Sequence, residues 1–299
     1  ALAMPHRSVA CRRFAAKRSA DMQSMRIVFY PAAVALAFSV VIFSLDAARL
    51  NRIGSDQLGI DRSSEIAWKS VLETLSFSLY TGASEIKDSV VSLFAEAERR
   101  NRLAWRFAAA LLCLTAVFAV AAWRLGRRES RREPFVADLI AIAVIFLGVG
   151  LVAPILSLKA YATLPVVGEV ILKYEVKSVI TTIGTLAQSH NLPVAVLVAA
   201  FSVVTPLTKL LVAVSVLQRR WPQWHRRGLA FMHAIGKWSM ADVFVVAVLV
   251  AYFAASGDEF SEAHLGVGLY FFAAYCLISQ FATHRLARAY EAEIVAATS

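Results

Sequence analysis

Six stretches of this chain run for about 18 residues or more with no more than one Asp, Glu, Lys or Arg each: 28–45, 103–123, 136–156, 194–217, 238–256 and 265–283. A bilayer core of roughly 30 Å needs about 20 apolar residues in helical form, and a spanning helix satisfies all of its own backbone hydrogen bonds. The chain therefore reads as an all-α polytopic membrane protein with six transmembrane helices. Its 299 residues are 59% apolar, above the roughly 45–50% of a soluble domain. No large water-soluble core is implied.

The charges between these runs alternate. Eighteen Lys and Arg fall in the N-terminal arm, 124–132, 219–237 and the tail after Thr283, against eleven in the other loops. Those other loops hold 14 of the 21 acidic residues. Positive charge marks the cytoplasmic side of short loops, so both termini are expected in the cytoplasm. The net charge of +10 is then a membrane-surface signal rather than a nucleic-acid footprint, because the Arg clusters are short and split by spans. Cys11, Cys113 and Cys276 make neither a disulfide framework nor a zinc spacing.

Four parts follow. Residues 1–25 form a basic arm. Residues 26–134 hold a helix pair around an outer, periplasmic segment, 46–102, with apolar residues at helical spacing (Ile66, Val71, Leu72, Leu75, then Ile86, Val90, Phe94). That spacing predicts two amphipathic helices broken near "YTGAS" (80–84). Residues 135–285 hold four helices, and 286–299 form a cytoplasmic tail. The first outer loop of the four-helix part, 157–193, predicts a small β-hairpin in "VVGEVILKYEVKSVI", followed by a short helix or loop. Gly148-x-Gly150 and Gly266-x-Gly268 predict close helix contacts.

Four charges fall within or at the edge of predicted spans. Arg106 and Asp138 lie within about one turn of a helix end and are expected to reach the interface. Lys209 lies roughly 13 Å from the end of its helix at 1.5 Å per residue, and Asp242 sits at a similar depth in the next one. Ser202, Thr205 and Lys209 fall at i, i+3 and i+7, one face of a regular helix, with Pro206 interrupting the ladder. Ser239 and Asp242 share a face at i, i+3, and Ser279 could join them from the last helix. The expectation is a hydrated polar pocket; the alternative is a buried ion pair that fixes helix register, with hydroxyls bonded back to their own turns. No phosphate loop, dinucleotide fingerprint, HExxH or GxSxG is present, so no catalytic residue, metal ligand or cofactor is assigned and the chain does not read as an enzyme.

The stretch "IGKWSMADVFVVAVLVA" (235–251) resembles the hallmark of the paraquat-inducible protein A (PqiA) family, whose usual form is close to "IGRWSMLDVFVVAILVA". The motif positions here are Gly236, Lys237, Trp238, Met240, Val243 and Phe244 around Ser239 and Asp242. "LVAAFSVVTPLTKLLVA" (197–213) looks like the family's SxxxPxxKLL helix, with Ser202, Pro206 and Lys209 matching. "GVGLYFFAAYCLISQFA" (266–282) looks like its last helix. The resemblance covers about 136–285 as a single four-helix unit, without the zinc ribbons of two-domain members. It implies a protein that binds membrane lipid and hands it to a periplasmic MCE-domain partner for intermembrane lipid transport, with proton coupling through Asp242 and Lys209. The alternative is a non-transporting anchor or scaffold for a periplasmic partner, or a stress-linked envelope protein.

Overall fold

The computed structural model describes residues 6–57, 82–126, 133–164, 168–189, 192–217 and 261–298, with side-chain packing for 20–55, 89–125, 135–157, 176–189, 192–217 and 264–286. In chain order the elements are α1 (His6–Gln57), α2 (Gly82–Gly126), α3 (Glu133–Val152), β1 (Leu156–Leu164), β2 (Gly168–Lys177), α4 (Val179–Gln188), α5 (Leu192–Ala199), a π-helical turn (Ala200–Val204), α6 (Thr205–Leu217), β3 (Ser261–Leu265) and α7 (Val267–Thr298).

Four helical stretches are long and apolar enough to cross a membrane: 20–55, 89–125, 135–152 and 192–217. They contain the first four predicted spans, apart from the last four residues of 136–156. The fifth, 238–256, lies outside the described residues. The sixth is helical as the start of α7, but Ser279, Gln280, Thr283 and His284 dilute its apolar character and it is not among the four.

α1 and α2 form an antiparallel hairpin whose register can be read from contacts along it. Phe29 stacks on Phe118, Phe43 on Phe107, Asp46 pairs with Arg100, and Gly54 faces the Phe94 ring. The two numbers in each pair add to nearly the same value, which two helices running in opposite directions without slippage require. The buried positions are mostly small. On α1 they include Ala33, Ala37, Val40, Ser44, Ala47 and Gly54; on α2 they include Ala97, Ala104, Ala108, Leu111 and Thr115. Their spacing of three, four and seven is a coiled-coil seam, and small side chains let the two backbones approach closely. Ser44 and Thr115 donate to the carbonyls of Val41 and Leu111, so the seam carries no unsatisfied hydroxyl there. At 52 and 45 residues these helices measure roughly 78 and 68 Å, more than twice the hydrocarbon thickness. Both therefore project well beyond the apolar layer.

α3 is the most buried of the four spans and touches α1, α2, α4, α6 and α7. It runs antiparallel to α7, with Phe146 edge-on against Phe271 and Gly150 against the Phe272 backbone. A Cβ at Gly150 would lie 2.8 Å from the Phe272 nitrogen, and one at Gly268 would lie 2.4 Å from the Ala153 oxygen. The expected close contacts thus hold at Gly150, Gly266 and Gly268, whereas Gly148 faces open space. α3 stops before Pro154, which disfavours helical geometry at Ala153. The Pro154 carbonyl then accepts from the Gly268 N–H at 2.8 Å, tying the end of α3 to the start of α7.

A three-stranded antiparallel sheet, ordered β2-β1-β3, caps this end of the bundle. The hairpin lies earlier than expected: its first strand is "LSLKAYATL" and "GEVILKYEVK" forms the second strand alone. The pairing passes from Ala160–Lys173 to Tyr161–Ile171, so Leu172 is an extra residue, a bulge in the ladder. α1 also touches β2. The hairpin overhang and the sheet therefore share one end of the molecule.

Candidate functional site

The strongest irregularity within a candidate span is the π-helical turn between α5 and α6. In an α-helix the Thr205 N–H would bond to Phe201. Here it reaches the Ala200 carbonyl, and the Thr205 hydroxyl donates to the same oxygen at 2.9 Å. The next residue is Pro206, which has no N–H for Ser202 in α register or for Phe201 in π register. One helical rung is lost, and such wide turns concentrate at functional positions.

Pro206 is fully buried, and its carbonyl accepts a hydrogen bond from the Tyr275 hydroxyl of α7 at 3.3 Å. Tyr275 is 1% exposed, and a buried phenol needs such a partner. One turn beyond Pro206 comes Lys209, only 5% exposed; one turn beyond Tyr275 comes Ser279, also buried. Lys209 has an interaction partner. Its Cα lies roughly 12 Å before the end of α6, and Tyr275 lies roughly 12 Å into α7, counted at 1.5 Å per residue. An ammonium at that depth costs a few kcal/mol on insertion scales and is found where it faces a partner or a polar cavity.

The structure thus brings Pro206, Lys209, Ser279 and Tyr275 into the interior. Ser202 and Thr205 are half-buried rather than buried with Lys209. The face drawn through Ser202, Thr205 and Lys209 assumes 3.6 residues per turn, and a π turn advances by only about 80° per residue. The Thr205 hydroxyl bonds back to its own helix, as does Thr283 to Ser279 at 2.7 Å. Gly236, Lys237, Trp238, Ser239, Met240, Asp242, Val243 and Phe244 lie outside the described residues. Tyr275 was missed by sequence reasoning; the available signal was its position four residues before Ser279 in an otherwise apolar helix.

A second polar cluster corrects the expectation for Asp138. Its carboxylate does not reach the interface but is 3% exposed and fully engaged. Oδ2 accepts from Arg26 Nη2 at 2.7 Å and from Nε at 3.2 Å, and Oδ1 accepts from the Tyr30 hydroxyl at 2.7 Å. The donors come from α1, 108 and 112 residues away, which is why a reading of the 136–156 helix by itself placed Asp138 at the surface. Arg106 is exposed. Among the described residues no group of three His, Cys, Asp or Glu could hold a metal ion.

The α3 side of this cluster and all of the Lys209 site fall within one recognisable unit. Residues 136–290, just over half of the chain, match the protein family described as Paraquat-inducible protein A. The α1–α2 hairpin lies outside that match, so Arg26 and Tyr30 bond across its boundary. No curated protein and no solved structure matches the chain. With a buried lysine in the matched unit and four helices able to cross a bilayer, the chain belongs to the paraquat-inducible protein A family and is built as a multi-pass membrane protein.

Proposed function

We propose that this protein binds membrane lipid within the four-helix unit of a bacterial inner membrane and hands it to an MCE-type periplasmic tunnel, without acting as an enzyme. Both termini lie in the cytoplasm in this reading, and the sheet end faces the periplasm. The observation that carries it is Lys209, buried at membrane depth one turn beyond a π turn and Pro206. A cation there suits an anionic lipid head group, and the interrupted helix supplies carbonyls at the same level. Asp242 would change protonation against Lys209 and couple transfer to the proton gradient, while Ser202, Ser239 and Ser279 contact the head group.

A second reading, a membrane scaffold for a periplasmic partner, draws on the α1–α2 overhang, which is longer than any span requires. Photo-crosslinking groups placed beside Ser202 and Ser239 in native membranes separate the two. Phospholipid adducts that disappear in Lys209→Met support lipid binding. No adducts, together with full activity of Asp242→Asn and Lys209→Ala in a membrane-integrity assay, would sink it in favour of the scaffold.

A further inference from the structure

The chain from Ser178 to Pro193 reads from sequence as the end of an outer loop, but its chemistry is that of a membrane-embedded segment. No Asp, Glu, Lys or Arg occurs from Ser178 to Thr208. α4 is 10 residues long, roughly 15 Å, which is half a hydrocarbon thickness. It is too short to span and of the length expected for an interfacial or re-entrant helix.

Its hydroxyls make no demand on water. Ser178 caps α4 in a reciprocal capping box with Thr181. Thr182 donates to the Ser178 carbonyl at 2.7 Å, Thr185 to Thr181 at 2.7 Å, and Ser189 to Thr185 at 2.8 Å. Every described side-chain hydroxyl from 178 to 189 is thereby bonded within α4 and its caps. Back-bonding of this kind satisfies the polar atoms without water, which a segment in lipid requires.

The apolar surface of this region has two directions. Val179 and Ile183 pack on the bundle core. Ile180 is 51% exposed and Gly184 has open space beside it. α5 packs against α4 and continues the exposed apolar surface through Leu192 and Val196. From there it joins, without a polar break, the exposed Val204 and Leu211 of the span that ends in α6. That span is long and apolar enough to cross a membrane, and α4, packed against its first helix, exposes Ile180 as well.

We propose that α4 and the start of α5 form a hairpin lying in the bilayer boundary at the sheet end, with Ile180 and Gly184 toward lipid. Lys177 on one side and Gln188 and Ser189 on the other mark where it meets the head groups. This assignment is independent of whether the protein moves lipid.

Spin labels test it in the full chain, with Cys11, Cys113 and Cys276 replaced by Ala and single cysteines placed at Ile180, Gly184 and Val196. Leu211→Cys serves as the lipid reference. Val91→Cys, exposed and apolar on the α2 overhang, serves as the water reference. In proteoliposomes the ratio of oxygen to nickel-chelate collisions should be about threefold or more above that of the Val91 label, close to the Leu211 value. Ratios equal to that of Val91 at all three sites overturn the proposal. Hydroxyl-radical footprinting of the unsubstituted protein in nanodiscs checks it without any variant. Peptides bearing Ile180 and Leu186 should oxidise several-fold less than those bearing Val91, and equal oxidation counts against the hairpin.

Discussion

Removing the charge on Asp138 should loosen the attachment of the α1–α2 hairpin to the family unit, and the size of the effect follows from its contacts. Three donors reach this carboxylate, two from the Arg26 guanidinium and one from Tyr30. Breaking a buried ion pair by deleting one partner costs about 3–5 kcal/mol, because the other charge is stranded. Asp138 is buried, but the Arg26 side chain is 28% exposed, so solvent screening brings the expectation below that range, to about 2–3 kcal/mol. Arg26→Leu leaves the carboxylate with Tyr30 alone; Asp138→Asn keeps the Tyr30 bond but removes the buried negative charge opposite the guanidinium. Arg26→Leu combined with Asp138→Leu strands neither and should cost less than either single change, a coupling of about 2 kcal/mol. Thermal unfolding in mild detergent reads this as a fall of about 5–10 °C for each single variant and a smaller fall for the pair. Single variants that melt with the parent, or a double variant showing the sum of the two losses, would refute the claim that this cluster holds the two parts together.

Two further outcomes follow from packing and from the π turn. Gly150→Val should destabilise by about 2–4 kcal/mol, since its Cβ meets the Phe272 backbone at 2.8 Å, while Gly148→Ala should leave the melting temperature unchanged because nothing lies within 4 Å. Melts of the two variants side by side check this, and equal losses would remove the close helix approach from the account. Tyr275→Phe and Thr205→Val should each cost about 0.5–1.5 kcal/mol through one lost hydrogen bond, read by the same melts.

The first four spans were legible because a bilayer enforces them: a run such as Val28 to Leu45 without charge has few other uses. The small residues lining the hairpin seam were visible as letters but not as a pattern, since Ala33, Ala37 and Ala104 carry little hydropathy and the interface depends on their size. Asp138 was misplaced for a different reason. Periodicity ranks a residue within its own helix, whereas the groups that bury this carboxylate stand on a helix more than a hundred residues earlier. Around Lys209 the burial of Lys209 and Ser279 was legible as isolated polar letters in apolar helices, but the local geometry was not, because counting by 3.6 cannot see a turn that admits an extra residue before Pro206. The strands were placed late in the loop because the Val and Ile run draws attention to β2, while β1, with Lys159, Ala160 and Thr163, is paired on both sides and sits at the centre of the sheet.

The steady register between α1 and α2 constrains how such a protein can change over time. Each arm meets the other level by level, from Phe29 and Phe118 to Gly54 and Phe94, through a seam that repeats every seven residues. A residue gained in one overhang turns every small side chain beyond it off the seam by about 100°. Lineages carrying this hairpin are therefore expected to lengthen or shorten it in whole sevens, in both arms together, with the tip as the place where unequal change is absorbed.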